Sequence, residues 1–168
     1  MELYDLKTQH MRHPIVDTIP EFSWKIRSAE KNVIQTAYRI LVRNENKIVW
    51  DTGKIETRDQ SFIRYEGETL HSEQRYDWTV SVWNNHGEEA SASSDFETAF
   101  LSENDWIGKW IECPFKREAA NEYAFGASYP PVLFEKTFEL DHEIERARIS
   151  ATAYGVYELK MNGCKADD

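Results

Sequence analysis

The stretch YDWTVSVWNNHG, residues 76–87, constrains the fold of this chain more than any other part of the sequence. Apolar and polar side chains alternate along it with a period of two, which is the pattern of a half-buried β-strand. One face carries Tyr76, Trp78, Val80 and Val82, and the other carries Asp77, Thr79, Ser81 and Trp83. The turn residues Asn84, Asn85, His86 and Gly87 end the segment. Helical periodicity is nearly absent elsewhere, so we predict an all-β protein.

Five other segments before residue 101 alternate in the same way and are separated by turn signals. They are EFSWKI (21–26), IQTAYRILV (34–42), KIVWDTGK (47–54), SFIRYEG (61–67) and ASSDFETAF (92–100). In the second of these, strict alternation places Ile34, Thr36, Tyr38, Ile40 and Val42 on one face, and Gln35, Ala37, Arg39 and Leu41 on the other. Six or seven short strands in about a hundred residues predict a β-sandwich.

The type of sandwich follows from a spaced set of residues around the clearest strand. Leu70, Tyr76, Trp78, Val80, Val82, Asn84, Gly87 and Ser93 follow the pattern of fibronectin type III domains. In that pattern Tyr76 is the tyrosine-corner residue, whose hydroxyl bonds to nearby backbone, and Trp24 is the buried tryptophan of the second strand. We therefore predict a fibronectin type III or immunoglobulin-like sandwich over residues 1–101, with its core at about 14–101.

A second β-region follows a linker at residues 102–108, SENDWIG. We assign residues 109–168 to the incomplete N-terminal part of a second β-sandwich. Its predicted strands are VLFEKTFEL (132–140), ERARISATAYG (145–155) and VYELKM (156–161). So few strands cannot bury both faces of a sheet. An uncovered face and an open edge predict less order in isolation than in residues 20–100, or dimerisation through that edge.

Asn162-Gly163 is a strong signal for a two-residue hairpin turn, because a type I′ turn needs positive φ at both central positions. Only Cys164 to Asp168 follow this turn. We expect most of the return strand to lie beyond residue 168, and the chain to be the front end of a larger protein.

Composition excludes several classes of function. The chain has 168 residues and a formal net charge of −10, which argues against nucleic acid and anionic membranes as partners. The N-terminus lacks the apolar segment of a signal peptide, and Cys113 and Cys164 form no paired motif. We expect a cytoplasmic protein without disulfides, metal or cofactor. The five histidines show no spacing typical of metal ligands.

Catalytic motifs are also absent from the sequence. It contains no nucleophile elbow, phosphate-binding loop or dinucleotide fingerprint. A glycosidase needs two carboxylates opposed across a cleft, and sequence spacing alone cannot show such a pair. We assign no catalytic residue.

Aromatic side chains are the remaining candidates for function. The chain has 6 Trp, 8 Tyr and 8 Phe, most of them on predicted inward faces. The candidates for contact with carbohydrate or with another domain are Trp83, Trp106, Trp110, Tyr123, Phe125 and Tyr129. Trp83 lies on the outward face of its strand, Trp106 and Trp110 flank the linker, and the others lie in a long loop. Packing within or between domains and contact with a ligand both remain open for them.

The order of these elements resembles the N-terminal region of modular bacterial α-L-rhamnosidases, over nearly the whole chain. The resemblance rests on PEFSWKI, QTAYRILV, VWDTGKI, YEGETLHSEQRYDWTVSVW, FETAFL, DWIGKWI, FEKTFEL and ARISATAYGVYELKMNG. Each motif is weak alone, but their order and spacing together are specific.

The resemblance implies a layout and a role. Such enzymes carry a fibronectin-III-like domain, then sandwiches related to carbohydrate-binding modules, then an (α/α)6 barrel that releases terminal rhamnose with inversion. Nothing in this chain matches the barrel. We therefore expect a non-catalytic accessory region, with the remaining domains of the parent enzyme as its partners. A free-standing carbohydrate-binding or protein-interaction module is the alternative.

Overall fold

The chain divides into two units, Met1–Trp110 and Ile111–Asp168. A computed structural model describes residues 1–116, 118–119, 121–123, 126–144 and 147–166. The regular structure of the described residues is β-sheet apart from one short 3-10 turn, which confirms the prediction of an all-β protein. No helix among them is long and apolar enough to cross a bilayer.

The first unit, all of whose residues are described, is a sandwich of two sheets. Its strands are β1 (Glu2–Thr8), β2 (Ile15–Val16), β3 (Glu21–Arg27), β4 (Gln35–Asn44), β5 (Lys47–Asp51), β6 (Ile63–Arg64), β7 (Arg75–Asn84) and β8 (Glu89–Thr98). One sheet has the order β1-β3-β6 and the other has the order β2-β8-β7-β4-β5. All neighbours are antiparallel except β2 and β8, which run parallel.

The core lies between these two sheets and is rich in aromatic rings. Its fully buried members include Phe22, Ile40, Val42, Tyr76, Trp78, Val80, Val82 and Phe96. The centroid of the Phe22 ring lies 4.8 Å from that of Trp78 and 5.9 Å from that of Phe96. The inward residues of β7 alternate with outward polar ones, as the sequence predicts.

Two contacts confirm the immunoglobulin-like sandwich. The hydroxyl of Tyr76 accepts a hydrogen bond from the backbone N–H of His71 at 2.9 Å, which is the tyrosine-corner contact. Trp24 is 2 % exposed on β3, and its indole N–H donates to Oε1 of Gln35 at 3.0 Å. The side-chain amide of Gln35 in turn donates to the carbonyl of Asp59 at 2.7 Å.

Bulges explain where simple alternation fails. The prediction that Gln35 lies on the outer face is wrong: it is 1 % exposed and bonds to Trp24 in the core. The register between β4 and β7 shifts between Gln35 and Ala37. The strict in-and-out alternation of side chains is therefore interrupted at this bulge. A second shift, between Tyr4 and Lys7, interrupts the alternation of β1. The sequence did not predict β1, and this shift hides its pattern.

One seam between the two sheets is closed by the segment 65–68. The backbone N–H of Tyr65 donates to the carbonyl of Pro20, and that of Glu68 donates to the carbonyl of Val49, each at 2.9 Å. The Tyr65 hydroxyl donates to the carbonyl of Glu68 at 2.8 Å, and burial raises its pKa to about 12. Gly67 fits here because a Cβ would lie 2.5 Å from the Val49 carbonyl oxygen.

The second unit has little regular structure among its described residues. It contains β9 (Asn121–Tyr123) paired with β10 (Gly126–Ser128), and β11 (Lys160–Met161) paired with β12 (Cys164–Lys165). The predicted hairpin turn is confirmed, with φ of 49° at Asn162 and 81° at Gly163.

The longer strands predicted for this unit do not form. Residues 132–140 and 147–155 contain no strand, and only Lys160–Met161 of the segment 156–161 is paired. Residues 145 and 146 of the predicted strands lie outside the described residues. The alternating apolar side chains are present, but they are exposed: Phe134 is 51 % exposed and Phe138 is 60 % exposed. Without a paired neighbour and an opposing layer, alternation alone does not produce a strand.

Candidate functional site

Trp83 lies on the outer face of the five-stranded sheet, where its sequence pattern places it. It stands opposite Ala37 of β4 and Glu89 of β8 in the strand register. Its indole N–H donates to Oε2 of Glu89 at 3.0 Å. The ammonium nitrogen of Lys54 lies 4.3 Å from its ring centroid, within cation–π distance.

The backbone after β5 explains the position of Lys54. Gly53 has φ of 63°, and the chain then rejoins β4 through paired hydrogen bonds between Tyr38 and Ile55, of 3.0 and 2.8 Å. In this antiparallel pairing Lys54 stands across from Arg39, at the edge of the outer face. A ligand that stacks on the same face of the Trp83 ring must therefore displace the Lys54 ammonium group.

The rest of this outer face is polar and internally bonded. The hydroxyl oxygens of Thr79 and Ser93 lie 2.8 Å apart, and those of Ser81 and Ser91 lie 2.7 Å apart. Arg39 donates to both carboxylate oxygens of Asp51, at 2.8 and 2.6 Å. This contact, with a further bond from the Gly53 N–H, lowers the pKa of Asp51 to about 2.

Two carboxylates face each other on this sheet, but not across a cleft. Asp77 and Asp95 are opposite in the register of β7 and β8. Arg75 lies 3.7 Å from a carboxylate oxygen of Asp77 and 3.4 Å from one of Asp95, and His13 lies 2.5 Å from Asp95. Both carboxylates project from one exposed sheet, whereas glycosidase chemistry needs two that flank a bound sugar. Two like charges opposite each other on a sheet repel, and Arg75 relieves this repulsion. The pair is therefore read as a surface charge arrangement and not as a catalytic pair.

Trp106 is positioned by an ordered start of the predicted linker. Ser102 and Asp105 cap a 3-10 turn, Glu103–Asp105, and the Asp105 carboxylate also bonds to Ser72. The Trp106 ring contacts Phe100 edge to face at 5.4 Å, and a Cβ on Gly108 would meet this ring at 2.8 Å. Trp106 is 38 % exposed and Trp110 is 63 % exposed. Packing of these two rings against another domain stays a prediction.

The loop aromatics are placed only in part. Tyr123 belongs to β9, Tyr129 is 49 % exposed, and Phe125 lies outside the described residues. Trp83 and Trp106 have different contacts within the first unit: Lys54 and Glu89 for Trp83, and Phe100 for Trp106. No group of three or more His, Cys, Asp or Glu residues suited to a metal occurs in the described part of the chain. Cys113 and Cys164 are free thiols.

Sequence reasoning missed an ionic cluster on the three-stranded sheet. Oxygens of the Asp5 carboxylate lie 2.9 Å from the Lys25 ammonium, 2.9 Å from the Arg12 guanidinium and 3.4 Å from the Lys7 ammonium. Hydrogen bonds from Lys25 and Arg12 hold the pKa of Asp5 well below its usual range. The cluster depends on pairing between β1 and β3, and the bulge in β1 conceals that pairing from the sequence pattern.

Comparison with known proteins identifies the first unit. Residues 3–102 match the model of the Rha78A-like, N-terminal immunoglobulin domain. The chain belongs to this family. The match begins within β1 and ends after β8, so it covers the sandwich described above.

Relatives of this Rha78A-like chain are much longer proteins. It is 32% identical over 160 residues to an α-L-rhamnosidase from Formosa agariphila, an alignment that covers 90% of this chain and 17% of that protein. Among solved structures, the α-L-rhamnosidase from Streptomyces avermitilis complexed with L-rhamnose is 30% identical, with a TM-score of 0.62 over 67% of this chain and 12% of that one. The α-L-rhamnosidase from Dictyoglumus thermophilum is 36% identical, with a TM-score of 0.61 over 74% of this chain and 16% of that one. The chain thus spans about a sixth of the length of the curated relatives it matches.

Proposed function

We propose that this chain acts as a non-catalytic accessory region of an α-L-rhamnosidase. The observation that carries the proposal is the alignment of 90% of the chain with only 17% of a curated α-L-rhamnosidase, in the N-terminal immunoglobulin region. The sandwich itself supports it, since its outer faces carry bonded polar groups and its carboxylates do not oppose each other across a cleft.

The accessory role is architectural. A sandwich with a fully packed aromatic core supplies a rigid body, and Trp106 and Trp110 at its C-terminal end supply exposed aromatic surface. Exposed aromatic rings are favoured in contacts between protein surfaces. We propose that the partners are the other domains of the parent enzyme, and that this region helps to shape access to their active site.

A direct assay tests the non-catalytic role. The purified chain is incubated with an aryl α-L-rhamnoside and with rhamnose-capped glycans, and released rhamnose is measured. The matched blank is a mock purification from cells that lack the expressed chain. We expect no release above the blank, and rhamnose release that scales with the concentration of the chain would overturn the proposal.

A second candidate is a carbohydrate-binding module that uses Trp83, or Tyr123, Phe125 and Tyr129, as a stacking platform. Trp83 favours it because the indole lies on the outer sheet face beside the acceptor Glu89. Titration with neutral oligosaccharides, followed by tryptophan fluorescence, tests this candidate. Saturable quenching that is lost in Trp83→Ala but kept in Trp110→Ala supports it. Lys54→Gln should then tighten binding, because the ring face no longer holds an ammonium group.

Dimerisation is a separate proposal, which rests on the second unit. Several apolar side chains of residues 132–157 are exposed, and the described hairpins leave strand edges unpaired. Sedimentation velocity of the intact chain over a range of concentrations tests it. A concentration-dependent shift to twice the monomer mass supports the proposal, and a constant monomer mass contradicts it.

A further inference from the structure

The outer face of the three-stranded sheet, hereafter the basic face, concentrates positive charge. The pairs Glu2–Arg27, Tyr4–Lys25, Lys7–Ser23 and Glu21–Arg64 stand opposite each other in the register of β1, β3 and β6. Their neighbours Leu3, Phe22 and Trp24 point into the core, so these pairs point outward. With Arg12 and Asp5, the face carries five basic side chains and three acidic ones: Lys7, Arg12, Lys25, Arg27 and Arg64 against Glu2, Asp5 and Glu21.

This local excess of cations has the opposite sign to the rest of the molecule. The chain carries a net charge of −10, yet the basic face has two more cations than anions. An excess of positive charge on one face of a negatively charged protein produces a local field that favours anionic partners at that face.

The bulge in β1 places a single carboxylate at the centre of the basic face. Between Tyr4 and Lys7 the register shifts, and Asp5 adopts the left-handed φ of 52°. Three cations converge on its two oxygens, at 2.9 to 3.4 Å. An ammonium or guanidinium group has several N–H donors, so one carboxylate does not satisfy all of them. The Arg12 and Lys25 side chains are 66% and 60% exposed and can reach a further anion.

The composition of the basic face indicates the class of ligand. A stable protein interface has an apolar centre, and here Tyr4 is the one large apolar side chain among the outward residues of β1, β3 and β6. Arg27 covers its ring at 5.3 Å. Nucleic acid carries phosphates spaced more densely than five cations interrupted by three anions can match. A flexible polymer with more widely spaced carboxylates suits this face in both respects. It needs no large apolar contact, and its charges can follow the row of cations.

We propose that the basic face binds an anionic polysaccharide whose sugars carry carboxylates, with Arg12, Lys25 and Arg64 as its cationic contacts and Asp5 as an internal competitor. This binding does not rest on the proposed accessory role, since it requires no other domain and no hydrolysis. It also uses a different face from the Trp83 surface.

The intact chain is titrated with oligogalacturonate by isothermal titration calorimetry at low and high salt. The same oligomer with its carboxylates methyl-esterified is the matched ligand, because it keeps the sugar backbone and loses the charge. We expect binding of the free acid alone, weakened by salt because the contacts are exposed. Equal binding of the ester would overturn the proposal. Equal binding of poly-glutamate of the same charge would assign the face to acidic polypeptide and also overturn it.

Variants with equal charge changes separate the basic face from general electrostatics. Lys25→Gln should weaken oligogalacturonate binding about fivefold, as expected for one exposed charge contact. Asp5→Asn should tighten it by a similar factor, because the internal anion no longer competes. The controls are Lys47→Gln and Asp51→Asn, which break ion pairs of the five-stranded sheet. These controls should change affinity by less than about twofold, and changes equal to those of the face variants would overturn the proposal.

Folding of the Asp5 variant is checked by its thermal unfolding curve. If Asp5→Asn does not fold, Arg64→Gln decides the question, because Arg64 lies on the face beyond the Asp5 cluster. A loss of affinity in Arg64→Gln supports the proposal, and unchanged affinity contradicts it.

Discussion

The two units of this chain show the same sequence pattern with different structural results. Apolar residues alternate in residues 76–83 and again in 132–140. The first stretch is a strand paired on both sides, with Trp78 and Val80 fully buried. The second forms no strand, and Leu133, Phe134, Phe138 and Leu140 are exposed. Alternation therefore indicates which residues can share a face, while paired neighbours and an opposing sheet determine whether that face forms.

The first unit bridges its two sheets by hydrogen bonds, whereas the described residues of the second unit form only short separate hairpins. In the first unit, residues 65–68 bond to both sheets along one seam. The N-terminal segment adds a strand to each sheet, because β1 pairs with β3 and β2 pairs with β8. In the second, the described strands are two or three residues long. Short isolated hairpins are marginal in water without a covering layer. We therefore expect the first unit to have the larger free energy of unfolding.

The largest expected contrast is in amide hydrogen exchange. Amides of β4 and β7 should be protected at least about a thousandfold, since they open only with global unfolding. Amides of residues 132–140 should exchange close to the rate of an unfolded chain, because no strand ladder engages them. Exchange of the monomer, followed by mass spectrometry of peptides, measures both. Equal protection in the two regions would show that the second unit is a stable sheet.

Truncation of one phenylalanine in each unit gives the next contrast. Phe22 is 0% exposed and contacts three other aromatic rings, so Phe22→Ala should lower the free energy of unfolding by about 3–5 kcal/mol. Phe138 is 60% exposed, so Phe138→Ala should change it by less than about 0.5 kcal/mol. Urea unfolding monitored by circular dichroism measures both variants. A large cost for Phe138→Ala would reveal packing around that side chain.

Gly67→Ala tests how tightly the seam is closed. The added methyl would lie 2.5 to 2.6 Å from atoms of Val49, Trp50 and Tyr65, so we expect a loss of about 1–3 kcal/mol from overpacking. Gly155→Ala is the comparison in the second unit, where no atom lies within 4 Å of the added Cβ and the strain comes from the backbone φ of 113° instead of from overpacking. It should leave the urea midpoint of the first unit unchanged. A neutral Gly67→Ala would show that the seam opens at little cost.

Loss of one tyrosine hydroxyl in each unit should have a smaller effect. Tyr76→Phe removes the acceptor of the His71 N–H from a part-buried hydrogen bond, at an expected cost of about 0.5–1.5 kcal/mol. Tyr157→Phe removes a bond of 3.2 Å to the Ala151 carbonyl from a side chain that is 53% exposed. That change should not alter the unfolding of the first unit. Equal urea midpoints for Tyr76→Phe and the parent chain would show that the tyrosine corner does not stabilise the fold.

The smallest expected effect concerns pH and Asp51. Its pKa is lowered from 3.8 to about 2, so its contribution to stability is complete above the ordinary value and is lost as pH falls towards 2. Asp51→Asn should therefore reduce stability at pH 6 by less than about 1 kcal/mol, as for other exposed ion pairs, and the difference should shrink below pH 4. Urea unfolding at several pH values measures it. A difference that grows on acidification would contradict this assignment, and Glu158→Gln in the second unit is the charge-matched control.

The sequence by itself determined the all-β class, the sandwich, the buried Trp24, the tyrosine corner at Tyr76 and the hairpin turn at Asn162-Gly163. Each depends on a local period or on residues close in sequence, so the pattern is visible without the fold. The outward position of Trp83 follows from the same period.

The tertiary structure alone decided the inward turn of Gln35, the presence of β1, the Lys54 contact on Trp83 and the Asp5 cluster. Each of these depends on a shift in strand register or on residues far apart in the chain that pairing brings together. It also decided which alternating segments become strands, because hydrogen-bond partners and an opposing apolar layer are properties of the assembled sheets.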